Sequence, residues 1–384
     1  MCVIVAPDSF KECLSAREAA EAMARGILNA DPECDVVLLP MADGGEGTVD
    51  ALLAAADGER VTVLITGPLG GPVEASYGLL DGGATAIIEM AAASGLALIP
   101  PGERDAGRAT TRGTGELMAH ALDHGVAQII VGLGGSATTD GGAGMAQALG
   151  WRLLDGNGEE LEPGGAALEC LDRIDGANRH PRLGSCTVRV ACDVTNPLCG
   201  PNGSARVYGP QKGASLEQVE QLDAALGQLA AVVKRDIGCD MAEMPGAGAA
   251  GGLGGGLVAF ANGTLCAGFD LVAEACHLDD QLTGAHLVIT GEGRMDGQTA
   301  MGKTIAGLAE RATRKGIPVV AVAGSLGEGW ETVYDRGVTA AFALGDKPMS
   351  LDTAMARAPE LIEQCTESIM RLWKAAGTFH DTRI

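Results

Sequence analysis

Short apolar runs alternate with helical patterns at the beginning of the chain. Residues 3–6 are continuously apolar, which is typical of a strand buried on both faces of a parallel sheet. A helix is predicted to follow, because Ser15 and Glu18 form a capping-box pattern and apolar residues then recur at helical spacing up to Ile27. A second strand, glycine-rich loop and helix over residues 35–56 indicate an α/β arrangement.

The pattern changes in the glycine- and proline-rich stretch 67–72. Beyond it, two alternating runs joined by an Asp-Gly-Gly turn predict a β-hairpin, and regular strands and helices return only in the last part of the chain. We therefore predict a discontinuous, doubly wound α/β domain of Rossmann or flavodoxin type from residues 1–72 and 285–384. A mixed α/β domain, residues 73–284, is inserted into it. The active site is expected at the carboxyl ends of the strands, in the cleft between the domains.

Composition and charge narrow the class of protein. Of the 384 residues, 46% are hydrophobic and only 3% aromatic, and the 58 glycines indicate many tight loops. With 27 basic and 50 acidic residues, the formal net charge is −23, which argues against a nucleic-acid-binding surface. The 11 cysteines include no C-x-x-C pair, which indicates reduced thiols.

The sequence also predicts where the protein resides. Residues 1–7 lack the basic and apolar regions of a secretory signal. The uncharged stretch 244–269 is rich in glycine, and we interpret it as a loop and a buried helix, not as a membrane span. We therefore expect a cytoplasmic protein that binds neither nucleic acid nor a membrane. Its oligomeric state stays open, and a homo-oligomer is one alternative.

Polar residues follow several predicted strands, where side chains from distant segments can converge. Phosphoryl transfer requires a metal ion that bridges phosphate oxygens, fixed cations and a base beside the attacking hydroxyl. The residue types at these strand ends supply all of them, and Mg²⁺ suits a site with one or two carboxylates. These residues are Asp8, Ser9, Lys11, Asp43, Glu46, Asp140, Asp193, Asn196, Glu292, Arg294, Asp296 and Lys303.

Three glycine-rich segments are candidate phosphate loops. Residues 132–142 lead from a predicted strand into a helix, so their N–H groups and the helix dipole can hold phosphate, unless the glycines only permit a tight turn. Residues 249–256 form either a ligand loop or a helix-packing seam. Residues 297–304 match the P-loop pattern, which makes a P-loop NTPase an alternative. The context disfavours that alternative, because six residues separate the pattern from the preceding strand and no convincing Walker B strand is found.

Several long motifs stand in one order along nearly the whole chain. Together they resemble the type-1 glycerate kinase family, and they occupy residues 6–11, 41–48, 134–142, 191–198, 209–214 and 290–299. The resemblance implies ATP-dependent phosphorylation of D-glycerate, two α/β domains and Mg²⁺ as the metal. It also implies 2-phosphoglycerate as the usual product, while 3-phosphoglycerate stays open.

Roles follow for the candidate residues. We expect Asp193 to accept the proton of the attacking hydroxyl, and Lys11 and Arg294 to neutralise the glycerate carboxylate or the transferred phosphate. Asp43 and Glu46 are the magnesium candidates, with helix capping as their alternative role. The substrate-binding candidates are Asp8, Ser9, Asn196 and Asp296. The candidates for contact with the nucleotide or its phosphates are Gly134, Gly135, Ser136, Thr138, Lys212 and Lys303.

A non-catalytic sensor that binds a nucleotide or a sugar acid is a further alternative. Binding alone would not need the full set of acids and cations, which counts against it.

Overall fold

The protein is described by a computed structural model that covers residues 1–45, 47–56, 58–301 and 304–381. The strands are β1 (Cys2–Val5), β2 (Asp35–Leu38), β3 (Glu59–Thr66), β4 (Pro72–Leu80), β5 (Thr85–Glu89), β6 (Gln128–Gly132), β7 (Arg152–Leu154), β8 (Arg173–Asp175), β9 (Thr187–Ala191), β10 (Thr264–Cys266), β11 (Leu287–Met295), β12 (Val319–Leu326) and β13 (Ala340–Ala343). The helices are α1 (Ala16–Ala30), α2 (Thr48–Ala55), α3 (Ala91–Ser94), α4 (Arg112–Asp123), α5 (Ala143–Ala148), α6 (Ser204–Tyr208), α7 (Leu216–Asp236), α8 (Leu253–Ala261), α9 (Gly268–Ala275), α10 (Leu278–Gln281), α11 (Gly297–Met301), α12 (Thr304–Arg314), α13 (Leu351–Ala356) and α14 (Ala358–Asp381).

The first helix begins where its sequence predicts. The Glu18 N–H donates to the Ser15 hydroxyl oxygen at 3.2 Å, and the Ser15 N–H donates to the Glu18 carboxylate at 2.9 Å, which confirms the capping box. Among the helices of the described residues, none is both long enough and apolar enough to cross a bilayer.

The chain divides into two structural units. Unit 1 consists of Met1–Asp43, Asp50–Ala56 and Val272–Ile384, and unit 2 consists of Gly44–Val49 and Asp57–Leu271. Each unit has its own main sheet and its own hydrophobic core.

The first boundary lies earlier than the sequence pattern predicts. That pattern assigns β3 to the first domain, but β3 pairs antiparallel with β4 over eight residue pairs. The stretch 67–72 contains the turn of this hairpin, in which the Gly67 N–H donates to the Gly71 carbonyl at 2.6 Å. A hairpin turn and a domain linker share the same glycine and proline content, and only the partner of β3 distinguishes them. The last boundary lies at Val272 and not at residue 285.

The described residues of unit 1 form a five-stranded parallel sheet with the order β13-β12-β11-β1-β2. If the five strands are numbered by their order in the chain and read from β2, they follow the order 2-1-3-4-5 of flavodoxin-like doubly wound sheets. The predicted α/β class is confirmed. β1 has β2 on one side and β11 on the other, so the strand order reverses at the β1–β11 pair. Ligands of such sheets bind beside this switch point, at the carboxyl ends of the strands.

One face of this sheet packs against α1 and α14. Val3 is fully buried in a cluster with Met23 of α1 and Met370 of α14. The two helices approach closely at Gly26, where an added Cβ atom would overlap the Thr366 hydroxyl of α14. The crossing therefore requires a glycine at this position.

The main sheet in the described part of unit 2 is mixed. Its six strands have the order β10-β9-β6-β5-β4-β3, in which β4 is antiparallel to both neighbours and the other pairs are parallel. The predicted hairpin, β4 and β5, is confirmed. The core joins Ile88, Val131 and Val190 of the central strands with Leu226 of α7 and Leu257 of α8.

Replacement of Gly26 by Ala is expected to destabilise the protein by about 2 kcal/mol, because the new methyl group overpacks the contact between α1 and α14. The matched control is Gly227→Ala in α7, where an added Cβ meets no atom within 4 Å. This control is expected to stabilise the protein by roughly 0.5 to 1 kcal/mol, since Ala has the higher helix propensity. Thermal unfolding measures both variants, and equal stability of the two would contradict this account of the crossing.

Candidate active site

The residues after β1 continue its pairing with β11. The Asp8 N–H donates to the Gly291 carbonyl at 2.8 Å, and the Thr290 hydroxyl donates to the Ala6 carbonyl at 2.8 Å. These bonds extend the contact beyond the last residue of β1. They hold Asp8 close to Glu292 at the switch point of the unit 1 sheet.

Asp8 is a carboxylate with defined partners. It accepts hydrogen bonds from the Ser9 N–H at 2.6 Å and from the Thr304 hydroxyl at 2.8 Å. Burial raises the pKa of Asp8 and the negative charge of Asp43 raises it further, while the hydrogen bonds oppose the rise. The structure therefore brings two of the substrate-binding candidates, Asp8 and Ser9, together with the metal candidate Asp43.

Glu292 is the second carboxylate of this site. Its Oε1 accepts a hydrogen bond from the Thr299 hydroxyl at 2.7 Å, and the Thr299 hydroxyl oxygen accepts one from the Asp296 N–H at 3.1 Å. Burial raises the pKa of Glu292 to about 7, with Asp8 and Asp296 acting in the same direction and Thr299 and Lys11 in the opposite one. A carboxyl group with a pKa near neutrality can exchange protons under working conditions.

Two cations border these carboxylates. Lys11 is exposed, and its charge acts on Glu292. The Arg294 side chain is 68% exposed, and its Nε lies 3.4 Å from Oδ2 of Asp296. An exposed ion pair of this length contributes little to stability, so the guanidinium group can turn towards a bound anion.

The carboxylates of this cluster fit Mg²⁺ by their chemistry. Asp43 is exposed and its charge repels that of Asp8, an interaction that a divalent cation would relieve. Mg²⁺ usually takes one or two carboxylates and completes its shell with water and phosphate oxygens. In the described parts of the chain, no group of three His, Cys, Asp or Glu side chains forms a ready-made metal site. The second candidate, Glu46, lies outside the described residues.

The structure counts against the P-loop alternative. β11 runs to Met295, so only Asp296 separates it from α11 (Gly297–Met301), and the six-residue gap expected from the sequence is wrong. The segment that matches the P-loop pattern nevertheless begins as a helix, whereas a P-loop leaves its strand as an open loop around the phosphates. The Gly297 N–H donates to the Glu328 carbonyl at 3.0 Å and is therefore occupied. Lys303 lies outside the described residues, and its contact with phosphate stays a prediction.

In unit 2, residues 133–142 form the loop between β6 and α5. Asp140 of this loop is completely buried and accepts hydrogen bonds from the Thr111 N–H at 2.8 Å, the Thr111 hydroxyl at 2.9 Å, and the N–H groups of Gly142 and Gly144 at 3.2 Å. Burial raises the pKa of Asp140, and these hydrogen bonds oppose the rise. Because Asp140 occupies these amides, the beginning of the short helix α5 is not available to an anion.

The outer part of this loop is formed by Gly134 and Gly135. Within the described residues, their N–H groups donate to no protein acceptor, and Gly135 adopts a φ of +73° that favours glycine. Ser136 and Thr138 are buried, and their hydroxyl oxygens lie 3.1 Å apart. Phosphate contact by Gly134, Gly135, Ser136 and Thr138 stays a prediction.

Lys212 contacts the same loop from within unit 2. Its side chain is buried, and Nζ donates to the Thr138 carbonyl at 2.6 Å and to Ser136 Oγ at 3.4 Å. Contact between Lys212 and a nucleotide phosphate stays a prediction.

The glycine-rich segment 249–256 also packs against this loop. An added Cβ at Gly251 would overlap the Thr138 carbonyl, and one at Gly256 would overlap the Gly141 carbonyl. Of the two interpretations of this segment, these contacts support the packing seam.

Asp193 and Asn196 follow β9. Oδ1 of Asp193 accepts a hydrogen bond from the Gly268 N–H, at the first residue of α9, at 3.0 Å. The Asn196 side chain accepts from the Tyr208 hydroxyl at 2.8 Å and donates to the Asn202 carbonyl at 2.9 Å, so it ties this loop together. The catalytic role of Asp193 and the substrate-binding role of Asn196 stay predictions.

The structure gathers the candidates of unit 1 into one cluster and those of unit 2 into two. The unit 1 cluster contains Asp8, Ser9, Lys11, Asp43, Arg294 and Asp296. Glu292 and Asp140 have strongly perturbed environments, although the sequence pattern assigns them no specific role. The sequence does not single them out, because an acidic residue also precedes a glycine at positions that are not buried, such as Asp81 and Asp155. Their burial, which shifts the pKa, is a tertiary property.

The fold is that of an α/β protein with a doubly wound sheet, and charged side chains cluster at its switch point, where ligands of such sheets usually bind. A sequence model of the glycerate kinase family matches residues 3–374. A glycerate kinase of Halalkalibacterium halodurans is 50% identical over 367 residues, which cover 96% of this chain and 97% of the relative. A glycerate 2-kinase of Escherichia coli K12 is 47% identical and covers 96% of this chain and 97% of that relative.

A solved structure gives the same result. A crystal structure from Salmonella typhimurium LT2 that carries the name glycerate kinase 2 superposes with a TM-score of 0.91 at 47% identity, covering 98% of this chain and 99% of that chain. This chain belongs to the glycerate kinase family.

Glu292 is expected to make the stability of the protein depend on pH. Its pKa is about 7 in the folded protein and 4.5 in a model peptide, so the folded state binds more protons between these values and stability falls as the pH rises through them. Glu292→Gln removes the charge and keeps the oxygen that accepts from Thr299. It is expected to stabilise the protein at pH 8 by about 2 kcal/mol and much less at pH 5.

Urea unfolding at the two pH values measures this effect. Glu331→Gln, at an exposed position of the same unit, is the control that should show no such dependence. If Glu292→Gln changed the stability equally at both pH values, the conclusion that burial raises the pKa of Glu292 would be wrong.

Proposed function

We propose that this protein uses ATP to phosphorylate D-glycerate and forms 2-phosphoglycerate, in line with the name glycerate 2-kinase of its E. coli relative. The observation that carries the proposal is the cluster at the β1–β11 switch point, where Lys11 and Arg294 border the carboxylates of Asp8, Glu292 and Asp296. D-Glycerate presents one carboxylate and two hydroxyl groups. The cluster offers cations for the first and hydrogen-bond acceptors for the second.

In this proposal the substrate carboxylate binds to Lys11 and Arg294. Arginine offers a planar, bidentate fork and lysine a compact charge, which together favour a carboxylate over a neutral group. The substrate hydroxyl groups donate to the carboxylates of Asp8 and Asp296. The perturbed pKa of Asp8 supports a role in ligand binding, because such shifts cluster at functional sites.

The nucleotide phosphates bind to the N–H groups of Gly134 and Gly135, since successive backbone amides without protein partners form anion-binding concavities. Asp43 and Glu46 hold Mg²⁺, which screens the charge on the phosphate oxygens when it is bound.

Asp193 acts as the general base. It accepts the proton of the glycerate hydroxyl that attacks the γ-phosphorus of ATP, and ADP leaves from the opposite side. The hydrogen bond from the Gly268 N–H orients the carboxylate for this task. This contact supports the role of Asp193 through positioning, which is the main protein contribution in phosphoryl transfer.

ADP release is expected to require D-glycerate. In a coupled assay with MgATP, D-glycerate should raise the rate of ADP formation by at least ~100-fold over the rate without it. Phosphorus NMR of the product is expected to show 2-phosphoglycerate. ADP release that ignores glycerate would indicate an NTPase and no ADP release would indicate a sensor, and either result overturns the proposal. A product that is mainly 3-phosphoglycerate would overturn only the position of the phosphoryl group.

Asp193→Asn is expected to lower kcat by at least ~100-fold and to change the KM for ATP little, because it removes the base but not the phosphate contacts. Asn keeps the oxygen that accepts from Gly268, so the loop should keep its conformation. Asp240→Asn is the control, since it removes only an exposed ion pair with Lys234. A kcat near that of the wild type would exclude Asp193 as the base.

A further inference from the structure

Lys212 is a buried cation that none of the proposed steps uses directly. It is the last residue of the 3₁₀ turn Pro210–Lys212, and the residue is only 2% exposed. The next residue, Gly213, has a φ of +91° and lies so close to the Arg104 carbonyl that an added Cβ would be 2.6 Å from its oxygen. The backbone thus fixes where the lysine enters the interior.

Within the described residues, both hydrogen bonds donated by the Lys212 side chain go to the segment 136–138 of the glycine loop. Its Nζ donates to the Thr138 carbonyl at 2.6 Å and to Ser136 Oγ at 3.4 Å. The Ser136 oxygen in turn accepts from the Thr138 N–H at 3.2 Å. This small network links the ammonium group to the part of the loop that directly follows Gly134 and Gly135.

The surroundings of Lys212 make its charge costly. Burial lowers the pKa of Lys212 to about 7, and the negative charge of Asp140 opposes this shift. The guanidinium group of Arg104 lies on the neighbouring turn, where it donates to the Gln211 carbonyl at 3.2 Å. A methionine at this position would avoid the desolvation of a charge, so stability alone does not account for the lysine.

We propose that Lys212 is a positioning residue for nucleotide binding: its ammonium group holds the segment 136–138 so that the Gly134 and Gly135 amides point to a phosphate, and its charge attracts that phosphate through the loop. This inference rests on the proposed function, because it assumes that the glycine loop binds the nucleotide. It assigns Lys212 an indirect role, since its own hydrogen bonds go to the loop.

A consequence is that nucleotide binding takes up a proton. A phosphate near Lys212 favours the charged form of the lysine and raises its pKa, so a proton enters at a pH near or above 7. At pH 6 the lysine is already charged before binding, and no uptake by this group is expected. The affinity for ATP should therefore weaken as the pH rises from 6 to 8.

Isothermal titration of the whole protein with MgATP, in buffers of different ionisation enthalpy, measures this uptake. At pH 7.5 the wild type is expected to take up about 0.5 proton more per bound nucleotide than Lys212→Met. Because both proteins bind the same nucleotide, this difference excludes protons that the nucleotide itself takes up or releases. Lys212→Met is also expected to raise the KM for ATP by about 10-fold and to leave the KM for glycerate unchanged. Lys234→Met, at an exposed ion pair on α7, is the control with wild-type values.

Lys212→Arg carries a positive charge throughout the pH range of the experiment. It therefore tests whether the charge at this position, and not only the space that the side chain fills, supports nucleotide binding. It should restore part of the affinity for ATP without the proton uptake. A folded Lys212→Met protein with wild-type affinity and uptake would overturn the inference. If Lys212→Met does not fold, the wild type is compared with Lys212→Arg instead. Equal proton uptake by these two proteins at pH 7.5 would overturn the inference. Failure of the proposed function differs from these results, because the wild type itself would then not convert D-glycerate.

Discussion

The parallel pairing of β1 with β11 is the contact on which the proposed substrate site depends. These strands come from opposite ends of the chain, and their hydrogen bonds continue beyond β1 through the bond from the Asp8 N–H to the Gly291 carbonyl. The polar residues after β1 therefore lie beside the last part of β11. Because this pair is the switch point of the sheet, the carboxyl ends of both strands lie where ligands of doubly wound sheets usually bind.

Charge burial is the second feature of the molecule. Three charged groups lose hydration on burial: Glu292 in unit 1, and Asp140 and Lys212 in unit 2. Burial raises the pKa of the two acids and lowers the pKa of the lysine, which in each case favours the neutral form. Hydrogen bonds from Thr299 and Thr111 offset part of this cost for the two acids. Groups of this kind lower stability relative to apolar side chains of similar size, and they are typical of positions where charge serves binding or catalysis.

Glycine residues allow other segments to pack against the loop 133–142 of unit 2 from more than one side. Gly251 and Gly256 let α8 and the segment before it approach the carbonyl groups of the loop, where any Cβ atom would overlap. Lys212 supports the loop through its ammonium group. A loop held in this way keeps its conformation without a ligand, so less free energy is lost to ordering when a phosphate binds.

The sequence by itself determined the elements whose causes are local. The capping box of α1, the buried strand before Asp8 and the hairpin of β4 and β5 follow from residues close together in the chain. The long motifs also carried the family resemblance. Only the tertiary structure decided that β3 pairs with β4, that Lys212 is buried and that Glu292 has a pKa near 7. Strand partners and desolvation depend on contacts between distant residues, and a local pattern does not encode them.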